Sequence, residues 1–419
     1  MRARLAGPAP GAWAGLLLVL ALGPLAAAPP APAPPSEAPA RGLAFAVALT
    51  KEGRSHSSET FDLRVPGAKG PLRLALEQLT YEGGTLHAVA RVTNATGGAV
   101  GGLRLSLRGV SDARGEVAVA PFAPLELGDL EDGATSAGVV FRVGPLSLEG
   151  RPEPVVVLGD VSGIASVATV EVPGVAGAGA IGLDAEGRLL VADAPGKRIL
   201  RADAEGKGTV EVARLSCAPT GVTASREGDV LYASCDGSPG LLRLPRSGAK
   251  PVPVETPGSL ALVRSGPDGA LRAVSGSSLL RLGEPGRAPV SRLRAAGAVV
   301  SFDVRPDGSV RLVAGPPGRR GVFSAREGES GLRPLGGAAA SLPRASACRF
   351  GPDGLYVAEG TGAPEAAPRL VVLDDAGSLL REARVLAGPV TDLAFGRDGR
   401  LHVLLEGGAA SRVQLLQLF

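Results

Sequence analysis

At 419 residues the chain is long enough for two or three domains of roughly 150 residues each. Its 44 Lys and Arg nearly cancel 41 Asp and Glu, so the charge balance gives no reason to expect nucleic acid or another polyanion as a partner. Three His and three Cys are too few for a histidine-rich metal centre or a thiol cluster. Hydrophobic residues make up 45% of the chain, which suits a globular protein with a core. Glycine (61) and proline (36) stay just below the roughly 25–30% at which aperiodic disorder becomes the default, so periodicity has to decide. The excess of Arg over Lys, with heavy use of Ala, Gly and Pro, reads as the codon bias of a GC-rich bacterial genome.

Residues 1–28 have the layout of a secretory signal peptide: Arg2 and Arg4, the apolar run AGLLLVLAL at 14–22, the Gly23-Pro24 break, then small residues Ala26, Ala27 and Ala28. The apolar run is too short for a membrane-spanning helix, which needs about 20 such residues. Residues 29–41 are a Pro/Ala-rich tether with nothing apolar enough to fold. No later stretch could cross a bilayer as a helix, so stable membrane insertion is not expected and the mature protein is read as exported, to the periplasm or the medium.

Residues 42–165 read as short alternating strands starting near Leu72, Leu86, Leu103, Val117, Ala137 and Val155, separated by turns rich in Gly, Asn and Asp. This is the pattern of an antiparallel sandwich. The run VTNATGGAVGGLRLSL followed by LELGDLEDGATSAGVVFRV resembles bacterial Ig-like or fibronectin-like modules, without the Cys-Trp-Cys core of a true immunoglobulin domain. Asn94-Ala95-Thr96 matches a glycosylation sequon but reads better as a plain turn.

From 166 onward one unit recurs: an apolar strand, a turn ending in Gly, and a second apolar strand. Its six copies fall at 181–193, 222–235, 262–275, 302–315, 348–359 and 393–406, anchored by Gly187, Gly228, Gly269, Gly308, Gly354 and Gly399 at spacings of 41, 41, 39, 46 and 45 residues. Acid-Gly suits a tight hairpin, because Gly reaches positive φ and Asp can cap the turn. A further apolar strand and polar Gly turn follow about twenty residues after each of the first five anchors. Four short strands per roughly 40–45 residues mark a β-propeller blade. The sixth copy has no fourth strand before Phe419. A ring left open would expose a strand edge, so 166–172 (SVATVEV), which alternates and is β-branched, is expected to supply it.

The segment GAIGLDAEGRLLVADAPGKRILRADAEG at 178–206 resembles an NHL repeat, and the fifth copy resembles it too; the others keep the turn and strands but lose the Val-Ala-Asp. The fold expected is therefore all-β: a six-bladed NHL-like propeller (166–419) after an Ig-like sandwich (42–165). Propellers of this shape include gluconolactonase-type enzymes, and that resemblance implies a divalent cation held in the central channel by carboxylates and an asparagine. Here the propeller contains no Asn, and its channel-side acids reduce to Asp392 and, less clearly, Asp303. No nucleophile elbow, Walker loop or H-E-x-x-H is present. No catalytic residue, metal ligand or cofactor is therefore assigned.

Cys217 lies just before the inner strand of the second repeat and Cys235 ends the next, antiparallel strand, so the two are expected to form a disulfide, as an exported protein permits; Cys348 is left as a small core residue. The Gly turns all lie on one face of the disc. The opposite face carries the longer loops, with Asp193, Asp236, Arg319, Arg320, Glu359, Glu365, Glu406 and, near the channel mouth, Asp392. That loop face is the expected binding surface for a protein or peptide, with a metal-dependent lactonase or hydrolase of the gluconolactonase type, or a structural envelope component, as alternatives.

Overall fold

The computed structural model describes residues 42–49, 57–82, 84–112, 115–118, 123–144, 155–175, 177–203, 206, 208–228, 230–245, 250–256, 258–283, 289–329, 331–360, 367–407 and 410–419. The proposed signal peptide and tether lie outside these residues, as does Glu365.

The N-terminal strands are β1 (Leu43–Leu49), β2 (Ser57–Leu63), β3 (Leu72–Glu82), β4 (Thr85–Asn94), β5 (Val100–Asp112), β6 (Gly115–Ala118), β7 (Leu125–Leu130), β8 (Val139–Val143) and β9 (Val155–Glu171). One antiparallel sheet runs β2-β3-β4-β8; in the other, β9 lies between β1 and β5, and β5 pairs with both β6 and β7. The alternation along β3 and β4 explains why these sheets face each other. Leu72, Leu74 and Leu76 on β3 and Leu86, Ala88, Ala90 and Val92 on β4 point to one side and are buried, meeting Val100, Leu103 and Leu105 of β5 in a shared core. Each buried Leu contributes roughly 1.5–3 kcal/mol. Asn94 closes the β4–β5 turn from inside: its Nδ2 donates to the carbonyls of Gly98 and Leu130, and its Oδ1 accepts from the Thr96 amide and hydroxyl. The amide nitrogen of the sequon is thus committed to the fold.

The rest of the chain is a β-propeller. Blade 1 consists of Ala178–Leu183, Leu189–Asp193, Arg198–Ala202 and Val210–Arg214, paired in that order. Blades 2 to 5 repeat the arrangement, with innermost strands Pro219–Ala224, Leu262–Ser265, Val299–Val304 and Ala345–Phe350. Blade 6 has Val390–Phe395, Arg400–Leu405 and Arg412–Leu418. Its fourth strand is the C-terminal part of β9, in antiparallel register from Arg412↔Glu171 to Leu418↔Ile164. Innermost strands of successive blades contact one another, and that of blade 6 contacts that of blade 1, so the six sheets close a ring.

One strand therefore serves both parts of the molecule. β9 pairs with β1 and β5 in the sandwich and with Arg412–Leu418 in blade 6. The sequence boundary between 165 and 166 falls inside it. The start of the repeat marks the boundary in sequence, and backbone pairing runs straight through it. Two contacts reinforce the junction. Gly101 and Gly102 of β5 abut blade 5, where an added Cβ would meet Val385, Ala383 and Arg381. Phe419 exchanges both backbone hydrogen bonds with Gly163 and packs into the sandwich core.

The anchoring glycines answer two different demands. Gly187 has φ +78°, and its amide donates to the Asp184 carbonyl in a turn that β-carbon sterics would oppose. Gly354 is not in the positive-φ region. Its hairpin is tighter, with the Gly351 amide bonded to the Gly354 carbonyl, and a Cβ at 354 would run into the Leu373 carbonyl. Innermost strands of blades 1, 2, 4, 5 and 6 also share a bulge near their start, bypassing Gly179, Thr220, Val300, Ser346 and Thr391. The bulge bends each strand at the same level of the ring.

Candidate binding site

The residues at five and seven positions before each anchor glycine share one side of the innermost strand, since side chains alternate with period two. Five before the anchor stand Gly182, Thr223, Arg264, Asp303, Arg349 and Ala394; seven before stand Ala180, Gly221, Leu262, Ser301, Ala347 and Asp392. Most are small because neighbouring innermost strands approach closely. A Cβ on Gly182 would lie 2.7 Å from the Val222 carbonyl, and one on Gly221 2.8 Å from the Val263 amide. The exceptions are Leu262, two arginines and two aspartates.

Arg264 plugs the channel. From blade 3, its Nη2 donates to Asp392 Oδ1 of blade 6 at 2.6 Å. Its Nη1 donates to the Phe302 carbonyl of blade 4 and the Cys348 carbonyl of blade 5, and the guanidinium lies 5.3 Å from the centroid of the Phe302 ring. Asp392 also accepts from the Leu393 amide and, across the seam to blade 1, from the Ile181 amide. Both side chains are buried, at 6% and 4% exposure. Burial pushes the Asp392 carboxyl upward from its ordinary range, against the pull of the Arg264 charge and two backbone donors. Arg349 lies alongside, its Nε donating to the Leu393 carbonyl at 2.6 Å and its Nη1 standing 3.8 Å from Asp303 Oδ1. Asp303 accepts the Val304 and Phe350 amides, and burial raises its carboxyl as well.

Beyond this plug, towards the glycine turns, the ring opens into a cavity of about 720 Å³. Thr223, Asp303, Phe350 and Phe395 form walls, and Asp184, Arg226, Arg305 and Arg397 come from the turns. Asp184 is neutralised by Arg188 (2.9 Å) and Arg201 (3.1 Å). Arg305 stacks 4.3 Å above the Phe350 ring and pairs with Asp375. Arg226 and Arg397 are exposed and make no ion pair among the described residues.

The sequence reading placed the site on the opposite face, and most of its described candidates there make local contacts. Asp193 is buried, receiving Arg198 Nε at 2.7 Å and the Gly196 amide. Glu359 is buried in the same role in blade 5, bound by Arg369 and the Arg344 amide. The acid ending the second strand thus pairs with the arginine opening the third (Asp193↔Arg198, Glu359↔Arg369). In these two copies, the acid and arginine of the NHL-like pattern are a structural clamp. Asp392 is inside the channel, not at the loop-face mouth. Arg320 donates to the Ala345 carbonyl, Asp236 accepts from the Ser259 hydroxyl, and Asp236, Arg319 and Glu406 are exposed. Arg264, Arg349, Arg226 and Arg397 were missed. Counting back from the anchor glycines would have found the first two, and the second turn position the other two.

Cys217 and Cys235 are joined in a disulfide with Cα atoms 5.9 Å apart. Cys348 is a buried free thiol pushed up to about 12 by burial, which makes it inert as a nucleophile.

No protein-family model matches the chain, and no curated protein matches its sequence. Solved structures do share its outline at low identity. The gluconolactonase XC5397 of Xanthomonas campestris is 16% identical with a TM-score of 0.47, over 62% of this chain and 90% of that one. The PQQ-bound aldose sugar dehydrogenase of Streptomyces coelicolor is 14% identical with a TM-score of 0.48, over 62% and 98%. A chain of the mitotic checkpoint complex is 12% identical with a TM-score of 0.43, over 61% and 95%. At this distance they carry no argument about activity.

The channel does not suit the divalent cation that a gluconolactonase-like propeller would imply. Such an ion takes about six to eight oxygen ligands. Asp303 and Asp392 are the only channel carboxylates at these two levels, and the Arg264 and Arg349 guanidinium groups lie against them. Among the described residues no group of three or more His, Cys, Asp and Glu is placed to hold a metal. None of their helices is long and apolar enough to cross a membrane.

Proposed function

We propose that this is an exported, non-catalytic binding protein, in which an Ig-like sandwich carries an NHL-like propeller that receives a protein or peptide segment at its glycine-turn mouth. The observation that carries the reading is the roughly 720 Å³ cavity set over a floor where Arg264 pairs with Asp392 and Asp303 accepts two backbone amides, so that it offers contact surface. Export is supported by the 14–22 apolar run with its arginines and by the Cys217–Cys235 bridge. Metal-assisted lactone hydrolysis is the alternative, and the arginine-filled channel opposes it.

Hydrogen exchange in the presence of a random hexapeptide pool tests the site. Protection is expected at turns 225–228, 305–308 and 396–399. Protection at 236–240 and 316–320 instead would move binding to the other face. Turnover of sugar lactones with added calcium or zinc would overturn the non-catalytic reading.

A further inference from the structure

We infer that the glycine-turn mouth selects an acidic peptide segment, read by arginines on alternate blades; this rests on the binding reading above. Arg226, Arg305 and Arg397 come from the first turns of blades 2, 4 and 6.

Of the turn carboxylates, three are held on their own hairpins, while Glu227 beside Arg226 is exposed. Asp268 takes Arg272 and the Ala270 amide, Asp307 takes the Ser309 amide and hydroxyl, and Asp398 takes the Arg400 amide. Arg305 is held by Asp375, so Arg226 and Arg397 are the lip cations that make no ion pair among the described residues. Asp303, the carboxylate of the wall, has both oxygens on backbone amides. Phe350 and Phe395 supply apolar surface beside these cations. The cavity is within the roughly 300–1,000 Å³ of small-ligand sites, room for a few side chains and not for a folded domain. Cations spread over alternate blades match a chain carrying several carboxylates better than a single anion.

The test is fluorescence anisotropy with labelled hexaglutamate, hexaglutamine and hexalysine peptides. Hexaglutamate is expected to bind at least tenfold more tightly than the other two, and to weaken as salt rises from 50 to 300 mM because the cations are exposed. The double variant Arg226→Glu/Arg397→Glu should lose at least tenfold. Arg226→Lys/Arg397→Lys should retain most of the affinity, and Arg319→Glu on the opposite face should match wild type. Thermal melting checks that each variant is folded.

Equal binding of hexaglutamate and hexaglutamine, or indifference to the double charge reversal, would overturn the acidic selection while leaving binding at the mouth intact. Displacement by equimolar citrate would replace the peptide with a small carboxylate. Absence of binding by all three peptides, together with no exchange protection from the random pool, would overturn both readings.

Discussion

Arg264 and Asp392 stand on blades at opposite sides of the ring, and a 2.6 Å contact between Nη2 and Oδ1 joins them in its buried centre. Through its second nitrogen Arg264 also holds the Phe302 and Cys348 carbonyls. One side chain therefore ties blade 3 to blades 4, 5 and 6. Two charges removed from water each cost several kcal/mol, which their attraction roughly offsets, so the pair specifies the ring's closure more than it stabilises it.

Removing one partner is the informative change. Arg264→Ala leaves the Asp392 carboxylate buried without its cation and is expected to cost about 3–5 kcal/mol in denaturant unfolding. The double variant Arg264→Met/Asp392→Leu should recover most of that loss. A single variant costing under about 1 kcal/mol would show that the pair does not lock the channel.

Sharing β9 makes the sandwich and the propeller one cooperative unit. Phe419→Ala, at the sandwich core, is expected to cost about 3 kcal/mol and to lower both parts together. Hydrogen exchange of β3 and of blade 5 should then report the same unfolding free energy. A sandwich that opens alone, with blade 6 still protected, would contradict this.

Acid should weaken blade 3 through Asp268. The Arg272 guanidinium beside it holds its carboxyl at about 2, against an ordinary 3.8. The folded pKa lies below the unfolded one, so the stabilisation is full above about pH 4 and is lost as the pH falls through 2. The side chain is about a third exposed, which limits the effect to about 1 kcal/mol. Wild type should therefore lose more stability between pH 5 and pH 2 than Asp268→Asn. Parallel melting curves for the two proteins would refute the assignment.

Thiol counting checks the cysteines. Denatured, unreduced protein should yield one free thiol, Cys348, and native protein none over the same interval. Reduction of the Cys217–Cys235 bridge, which spans 18 residues, should cost about 3 kcal/mol. Three thiols without reductant would exclude the bridge.

Elements built from local chemistry were legible in the chain itself. Alternation along 72–82 and 85–94, acid-Gly turns at regular spacing and the β-branched run at 166–172 are properties of neighbouring residues, and neighbours determine period and turn type. Even there, one residue type concealed two causes: Gly187 is needed for its φ, Gly354 for the approach of a carbonyl from the next strand.

Only the tertiary structure decided which charges meet. Asp193 and Glu359 look like rim acids until strand pairing sets an arginine opposite each. Arg264 looks like any strand arginine until ring closure brings it to Asp392, 128 residues away. The sequence determined the strands and their turns because those depend on contacts a few residues apart. The mouth, the plug and the shared strand depend on distances that exist only once the ring has closed.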